Sequence, residues 1–105
     1  MSSAPSSLDV FRAVADPTRR ALLDCLRETE HSVNELARPF RMTQPAVSQH
    51  LRILRKAGLV RGRKCGRERM YRLNPEPLRE VYEWAARHKP FVDPFGHAWG
   101  LRKAR

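Results

Sequence analysis

The hydrophobic period of the chain changes at Gly58, and this change limits the folds that the sequence can adopt. Before Gly58, apolar residues recur every three or four positions, which is the spacing of one face of a helix. Residues 59–64 and 69–73 change to a period of two, which is typical of β-strands. A helical stripe returns from Leu78 onwards. We therefore predict one mainly α domain with a β-hairpin, in the order ααααββα.

The first two predicted helices are separated by Asp16 and Pro17. Residues 8–15 read as a short amphipathic helix with three apolar residues on one stripe, Leu8, Phe11 and Val14. Asp16 is suited to cap a second helix and Pro17 to its first turn. The apolar spacing that follows predicts that this helix ends at about Glu28.

The third and fourth predicted helices are short and lie close together in the sequence. Ser32 and Glu35 have the capping-box spacing, and Pro39 limits the third helix to about two turns. Thr43 is the next N-cap, and the fourth helix is predicted over residues 43–57. Two helices joined by a few residues, the second opening with small and polar side chains, form the helix-turn-helix pattern.

The fourth helix has an apolar and a polar face. Its core face is predicted from Val47, Leu51 and Leu54. Short and amide side chains on the other face suit base edges in the major groove, and an arginine suits phosphate or guanine. The predicted DNA-binding residues of this helix are Thr43, Gln44, Pro45, Ser48, Gln49 and Arg52.

The positive charge is concentrated in one third of the chain. Eleven basic residues and one acidic residue, Glu68, lie between Arg38 and Arg72, so this segment carries the whole net charge of +10. Scattered surface lysines and arginines would not produce this distribution. The distribution therefore predicts a polyanionic partner, and nucleic acid is the first candidate among such partners.

The predicted hairpin and the last helix follow this charge. Residues 59–73 form a hairpin with a basic turn at 65–68, and Tyr71 with Leu73 is predicted to face the core. Asn74 and Pro75 are predicted to start the last helix, which reaches about His88. Its apolar stripe consists of Leu78, Val81, Tyr82 and Ala85. Because a terminal helix in so small a domain has few partners in its own chain, we predict that this stripe forms a dimer interface.

This order of elements is that of a winged helix-turn-helix domain, and the chain resembles the bacterial ArsR/SmtB family of transcriptional repressors over about residues 8–88. The resemblance rests on four phrases in order: FRAVADPTRR at 11–20, SVNELA at 32–37, TQPAVSQHL at 43–51 and LRKAGLV at 54–60. It is specific because all four occur at the right spacing.

The resemblance implies a homodimer that binds an inverted-repeat, double-stranded DNA operator and usually releases it when an inducer binds. Helix 43–57 would enter the major groove, and the wing at 59–73 would lie on the flanking backbone or minor groove. Gln44, Pro45, Ser48 and Gln49 match the family's base-facing positions, and Arg67 with Arg69 matches its wing. Dimerisation through the first and last helices adds Leu8 and Phe11 to the interface.

The metal sites of the family are not matched. Leu36–Ala37–Arg38 stands where metal-responsive members carry a Cys-x-Cys pair, and the last helix does not reproduce their other ligand pattern. We therefore expect no metal, no cofactor and, if there is an inducer, a small molecule. A site built from His88, Asp93 and His97 across two chains stays open.

The two ends of the chain are predicted to lie outside the folded domain. We predict a disordered head at 1–7, the domain at 8–88 and a tail at 89–105 whose Phe91, Phe95 and Trp99 cover either a pocket or the dimer seam. No membrane span or signal peptide is evident, which predicts a cytoplasmic protein. No catalytic motif is evident either, so an enzyme is not expected. The alternative is a winged-helix module for protein or RNA, although RNA readers more often present stacking aromatics.

Overall fold

Five helices and three strands make up residues 6–88, the part of the chain that the computed structural model describes. In chain order they are α1 (Ser7–Val14), α2 (Pro17–Glu28), β1 (His31–Ser32), α3 (Val33–Phe40), α4 (Gln44–Lys56), β2 (Val60–Cys65), β3 (Glu68–Leu73) and α5 (Leu78–Ala86). The mainly α fold with a β-hairpin wing is thus confirmed. Within residues 6–88, no helix has the length and apolar character that a membrane span requires.

The sheet has one strand more than the sequence predicted. β2 and β3 pair antiparallel from Val60 opposite Leu73 to Cys65 opposite Glu68. β1 pairs with the other edge of β3, so the strand order is β1-β3-β2 and the predicted order ααααββα is incomplete. A strand of two residues has no measurable alternation, and β1 is defined only by its pairing with β3.

The predicted starts of α2, α3 and α4 are confirmed by their caps. Asp16 accepts a hydrogen bond of 2.9 Å from the Arg19 N–H, and Thr43 accepts one of 3.2 Å from the Ala46 N–H. Ser32 and Glu35 form the predicted capping box. Each cap satisfies a backbone N–H that has no partner inside its helix. These side chains therefore fix where the helices begin.

The core-facing side of α1 differs from the predicted stripe. α1 begins at Ser7, one residue earlier than predicted, because Ser6 and Asp9 form a capping box. Its buried residues are Val10 and Ala13, whereas Leu8 is 63% exposed. α1 packs against α2, α4 and α5, and the small side chain of Ala13 suits this close approach.

The start of α5 is also corrected. Asn74 does not cap it, because its Nδ2 donates to the Gly58 carbonyl at 2.7 Å and its N–H donates to the Leu59 carbonyl at 2.8 Å. Asn74 thus ties the end of β3 to the turn after α4, and α5 begins only at Leu78 and ends at Ala86. In its predicted stripe, Leu78 and Val81 pack against the core, Ala85 is half-buried and Tyr82 is 69% exposed.

α4 lies at the centre of the core. Its predicted core face is confirmed, because Val47, Leu51 and Leu54 are at most 1% exposed. The helix packs against α1, α2, α3 and β2. Tyr71 is buried and Leu73 packs beside it, as predicted for β3. The opposite side of α4 is left free for other contacts.

Arg41 ends α3 in the left-handed region, at φ 55°. This conformation costs a residue with a Cβ about 1–2 kcal/mol, while glycine adopts it freely but loses more entropy on folding. We expect Arg41→Gly to raise the free energy of unfolding by about 0.5–1 kcal/mol in urea denaturation. Arg41→Ala, which keeps the Cβ, should give no such gain. Equal stability of the two variants would contradict this account.

Candidate nucleic-acid interface

The polar face of α4 is turned to solvent. All six residues predicted to bind DNA at this helix are exposed: Thr43, Gln44, Pro45, Ser48, Gln49 and Arg52. They come from the N-cap and the first three turns, while the buried side chains behind them hold the helix in the core. The helix therefore offers amide, hydroxyl and guanidinium groups on a rigid surface, as a groove-reading helix requires.

One of these side chains has a partner that the sequence did not indicate. Gln44 Nε2 donates a hydrogen bond to Asn34 Oδ1 at 3.0 Å. Asn34 lies in the first turn of α3, ten residues earlier, and is exposed as well. No spacing pattern within either helix could have revealed this contact, because it joins two helices whose relative position depends on the fold.

The wing carries the predicted arginines on its surface. Arg67 lies in the two-residue turn, next to Gly66 at φ 66°, and Arg69 lies on β3; both are exposed. A Cβ at Gly62 would lie 3.0 Å from the Arg69 Cδ and 3.1 Å from the Tyr71 Cε1. Glycine at position 62 thus leaves the room that the Arg69 stem occupies.

One basic residue of the wing is already paired. Arg63 Nε and Nη2 donate to the two carboxylate oxygens of Glu30, both at 2.8 Å. Glu30 lies outside the basic segment of residues 38–72. Counting charges along that segment therefore overstated the positive charge that this part of the wing offers to a polyanion. The pair joins the middle of β2 to the loop before β1.

The Glu30–Arg63 pair gives a pH-dependent contribution to stability. The Arg63 hydrogen bonds lower the pKa of Glu30 below its ordinary value. A pKa that is lower in the folded than in the unfolded state stabilises the fold above the unfolded pKa, and the stabilisation is lost as the pH falls through the folded pKa. We therefore expect Glu30→Gln to destabilise the protein at pH 7, and the difference from the wild type to shrink below about pH 4.

Urea denaturation at pH 7 and pH 3 measures this difference. Glu76→Gln is the matched control, because Glu76 faces Arg79 at 3.7 Å with both side chains well exposed and such a pair contributes little. A destabilisation by Glu30→Gln that is the same at both pH values would refute the assignment.

Arg19 joins the end of α1 to α4. Its Nε and Nη2 donate to the carbonyls of Ala13 and Arg12, each at 2.9 Å, and its Nη1 lies 3.4 Å from His50 Nδ1. A guanidinium at the C-terminus of a helix also interacts favourably with the helix dipole. α1 and α4 are thus joined through Arg19 of α2 as well as by apolar packing.

The six residues predicted for dimerisation fall into three groups, of which Phe11 and Ala85 are half-buried. Leu78 and Val81 pack against the core of their own chain, while Leu8 and Tyr82 are exposed. α1 and α5 lie side by side, with the Phe11 and Trp84 rings edge to face at 5.8 Å. The structure therefore brings the two predicted dimerisation helices together on one surface.

Metal-ligating residues do not converge within residues 6–88, where no group of three or more His, Cys, Asp or Glu is placed to hold an ion. Asp93 and His97, and with them the two-chain site left open above, lie outside the described residues. The same holds for Phe91, Phe95 and Trp99. The two cysteines are free, Cys25 half-buried and Cys65 exposed.

Comparison with known proteins finds bacterial regulators whose sequences are similar to that of this chain. The sequence model described as the arsR family of bacterial regulatory proteins matches residues 16–61. The transcriptional repressor SmtB of Mycobacterium tuberculosis is 42% identical over 76% of this chain and 59% of its own length. The transcriptional repressor SdpR of Bacillus subtilis is 34% identical over 72% of this chain and 84% of its own.

A solved structure agrees with these relatives. The crystal structure of an ArsR family transcriptional regulator has a TM-score of 0.70 and 40% identity, covering 83% of this chain and 91% of its own. The matched part of this chain spans less than two thirds of SmtB but most of SdpR and of this crystallised regulator.

Proposed function

This chain belongs to the ArsR family of bacterial regulatory proteins, and we propose that it is a homodimeric transcriptional repressor that binds an inverted-repeat DNA operator. The observation that carries this proposal is the exposed polar face of α4, opposite a face that is almost fully buried. A helix held in this way has an ordered backbone before it meets a groove, so only its exposed side chains need to be ordered on binding. The names of the relatives, which include repressors, agree with this role.

The two DNA-contacting parts would have different tasks. Gln44, Ser48 and Gln49 of α4 would contact base edges in the major groove, with Thr43, Pro45 and Arg52 beside them. Arg67 and Arg69 of the wing would contact the flanking backbone or minor groove. The base contacts would set the preferred sequence, and the wing would mainly add affinity.

Dimerisation would place two reading helices on one face of the DNA. The exposed Leu8 and Tyr82, with the half-buried Phe11 and Ala85 beside them, support an interface built from α1 and α5. Leu78 and Val81 would contribute by holding α5 against the core. Two such domains would read half-sites about 34–36 Å apart, which corresponds to one turn of DNA. The operator would then be a near-palindrome.

The proposed repressor would be controlled by an inducer and would act in the cytoplasm. A DNA target would place the protein in the cytoplasm, and release of the operator would follow binding of a small-molecule inducer. The absence of a Cys-x-Cys pair at Leu36–Arg38 supports a small molecule over a metal ion. The family consists of regulatory proteins, so we propose no catalytic activity.

A gel shift tests the proposal against its alternative. The protein is mixed with the DNA upstream of its own gene, with an unrelated duplex and with an RNA of equal length, with and without a chelator. We expect a complex with the upstream DNA that survives excess unrelated duplex and the chelator. Stronger binding to the RNA would favour the RNA-interaction module instead.

Base-reading and backbone-contacting residues should respond differently to substitution. We expect Gln44→Ala and Gln49→Ala to reduce discrimination between operator and unrelated DNA by on the order of 1–3 kcal/mol each, because a bidentate base contact is lost. Arg67→Ala should instead weaken binding to all duplexes equally and reduce the dependence of affinity on salt. Titrations at several salt concentrations measure both effects. A change in the preferred base with Arg67→Ala would contradict its assignment to the backbone or to the shape of the minor groove.

A further inference from the structure

The first turns of α3 and α4 hold the Asn34–Gln44 hydrogen bond in place. Ser32 caps α3, accepting from the Glu35 N–H at 3.2 Å and donating its own N–H to Glu35 Oε1 at 2.9 Å. Thr43 caps α4 in the position just before Gln44. Both side chains therefore extend from backbone that is fixed at a capped helix start, and the bond joins two rigid elements.

The surroundings of this bond place it on the proposed DNA-binding surface. A recess of about 170 Å³ beside it is lined by Ser32, Val33, Asn34, Gln44, Glu68 and Arg69. The last two residues belong to β3 of the wing, so the first helix of the helix-turn-helix, the reading helix and the wing meet here. Gln44 is the residue among the predicted base contacts whose amide has a partner in the described structure.

We propose that Asn34 is a positioning residue that orients the Gln44 amide to read adenine; this inference rests on the function proposed above. The bond to Asn34 uses one of the two N–H groups of Gln44 Nε2. Gln44 makes no other side-chain hydrogen bond within residues 6–88, so its second N–H and its Oε1 acceptor remain available. An amide with one free donor and one free acceptor matches N7 and the N6 amino group of adenine in the major groove. Asn34 itself makes no base contact in this proposal.

The expected effect of losing Asn34 is moderate. Both side chains are exposed, so water competes for their hydrogen bond and can replace it in part. What is lost is the fixed orientation of one long side chain, which must then be ordered when DNA binds. We expect Asn34→Ala to lower discrimination for adenine by about three- to tenfold, less than Gln44→Ala, which removes the contact itself.

The experiment compares wild type, Asn34→Ala, Asn34→Asp, Gln44→Ala and the double variant Asn34→Ala/Gln44→Ala. Each is titrated with the operator, with operators changed at single base pairs, and with an unrelated duplex. The base pair at which Gln44→Ala loses discrimination identifies the position that Gln44 reads. At this base pair we expect an adenine, a loss with Asn34→Ala and unchanged binding of the unrelated duplex.

The other variants separate positioning from direct contact. Asn34→Asp keeps an oxygen acceptor for Gln44, so it should retain the discrimination while its negative charge weakens all duplexes alike. The double variant should behave like Gln44→Ala alone. A further loss in the double variant, or full discrimination by Asn34→Ala, would overturn the proposal. Thermal unfolding of each variant checks that the fold is unchanged, as expected for exposed positions.

A readout without DNA separates this proposal from the proposed function. In the free protein, the side-chain amide signals of Gln44 in ¹⁵N–¹H NMR spectra should shift in Asn34→Ala, because the amide then bonds to water instead of to Asn34. If these shifts appear but no duplex is discriminated by the wild type, the repressor function fails and the adenine assignment fails with it. If operator binding is specific but the Gln44 signals do not respond to Asn34→Ala, only the positioning role is wrong.

Discussion

Leu54→Ala is expected to lower the free energy of unfolding by about 2–5 kcal/mol, a large part of the stability of so small a domain. Leu54 is 0% exposed and lies on α4, which packs against α1, α2, α3 and β2. Removing its branched end leaves a cavity among elements that cannot all move in to fill it. Urea denaturation followed by circular dichroism measures the loss.

Leu54→Met is the matched control, because it keeps the volume and apolar character of the side chain and should cost less than about 1.5 kcal/mol. A loss under 1 kcal/mol in Leu54→Ala would show that α4 is not held as the structure indicates. The polar face of this helix would then lack the rigid support on which the proposed DNA reading depends.

The double variant Leu8→Asp/Tyr82→Asp is expected to convert the proposed dimer to a monomer and to weaken operator binding by about 100-fold or more. Two carboxylates introduced into an apolar interface must be desolvated and repel their copies on the partner. Each monomer can then bind only one half-site, so the effective concentration of the second reading helix is lost. Sedimentation and operator titration measure the two effects.

The same variant should keep its fold, because Leu8 and Tyr82 are 63% and 69% exposed in the single chain. Thr29→Asp, a charge added at an exposed position at the end of α2, should leave both sedimentation and operator binding nearly unchanged. If Leu8→Asp/Tyr82→Asp still sediments as a dimer, the interface lies elsewhere than on α1 and α5.

Local chemistry explains why much of the fold could be predicted from the sequence. The Asp16, Ser32 and Thr43 caps act within one turn of the chain, so their spacing is visible without any tertiary contact. The same is true of the core and solvent faces of α4, which follow from helical periodicity. The surface position of the candidate DNA-contacting residues could be predicted for the same reason. Every one of them is exposed in the structure.

Contacts between distant segments explain the errors. Asn74 resembles a helix cap in sequence, but in the fold it bonds to Gly58 and Leu59, so α5 starts later than predicted. Glu30 neutralises Arg63 from 33 residues away, which charge counting along one segment cannot show. Likewise, β1 exists only when its two residues pair with β3, and the Asn34–Gln44 bond forms only when α3 packs against α4.

β1 ends at Ser32 and α3 begins at Val33, so no residue separates the strand from the first helix of the helix-turn-helix. Ser32 both pairs with Met70 of β3 and caps α3. The wing is therefore joined to α3 without an intervening loop, and the packing of α3 and β2 against α4 couples the wing to that helix. In the dimer proposed above, an inducer that releases the operator would then have to change how the two chains are placed relative to each other.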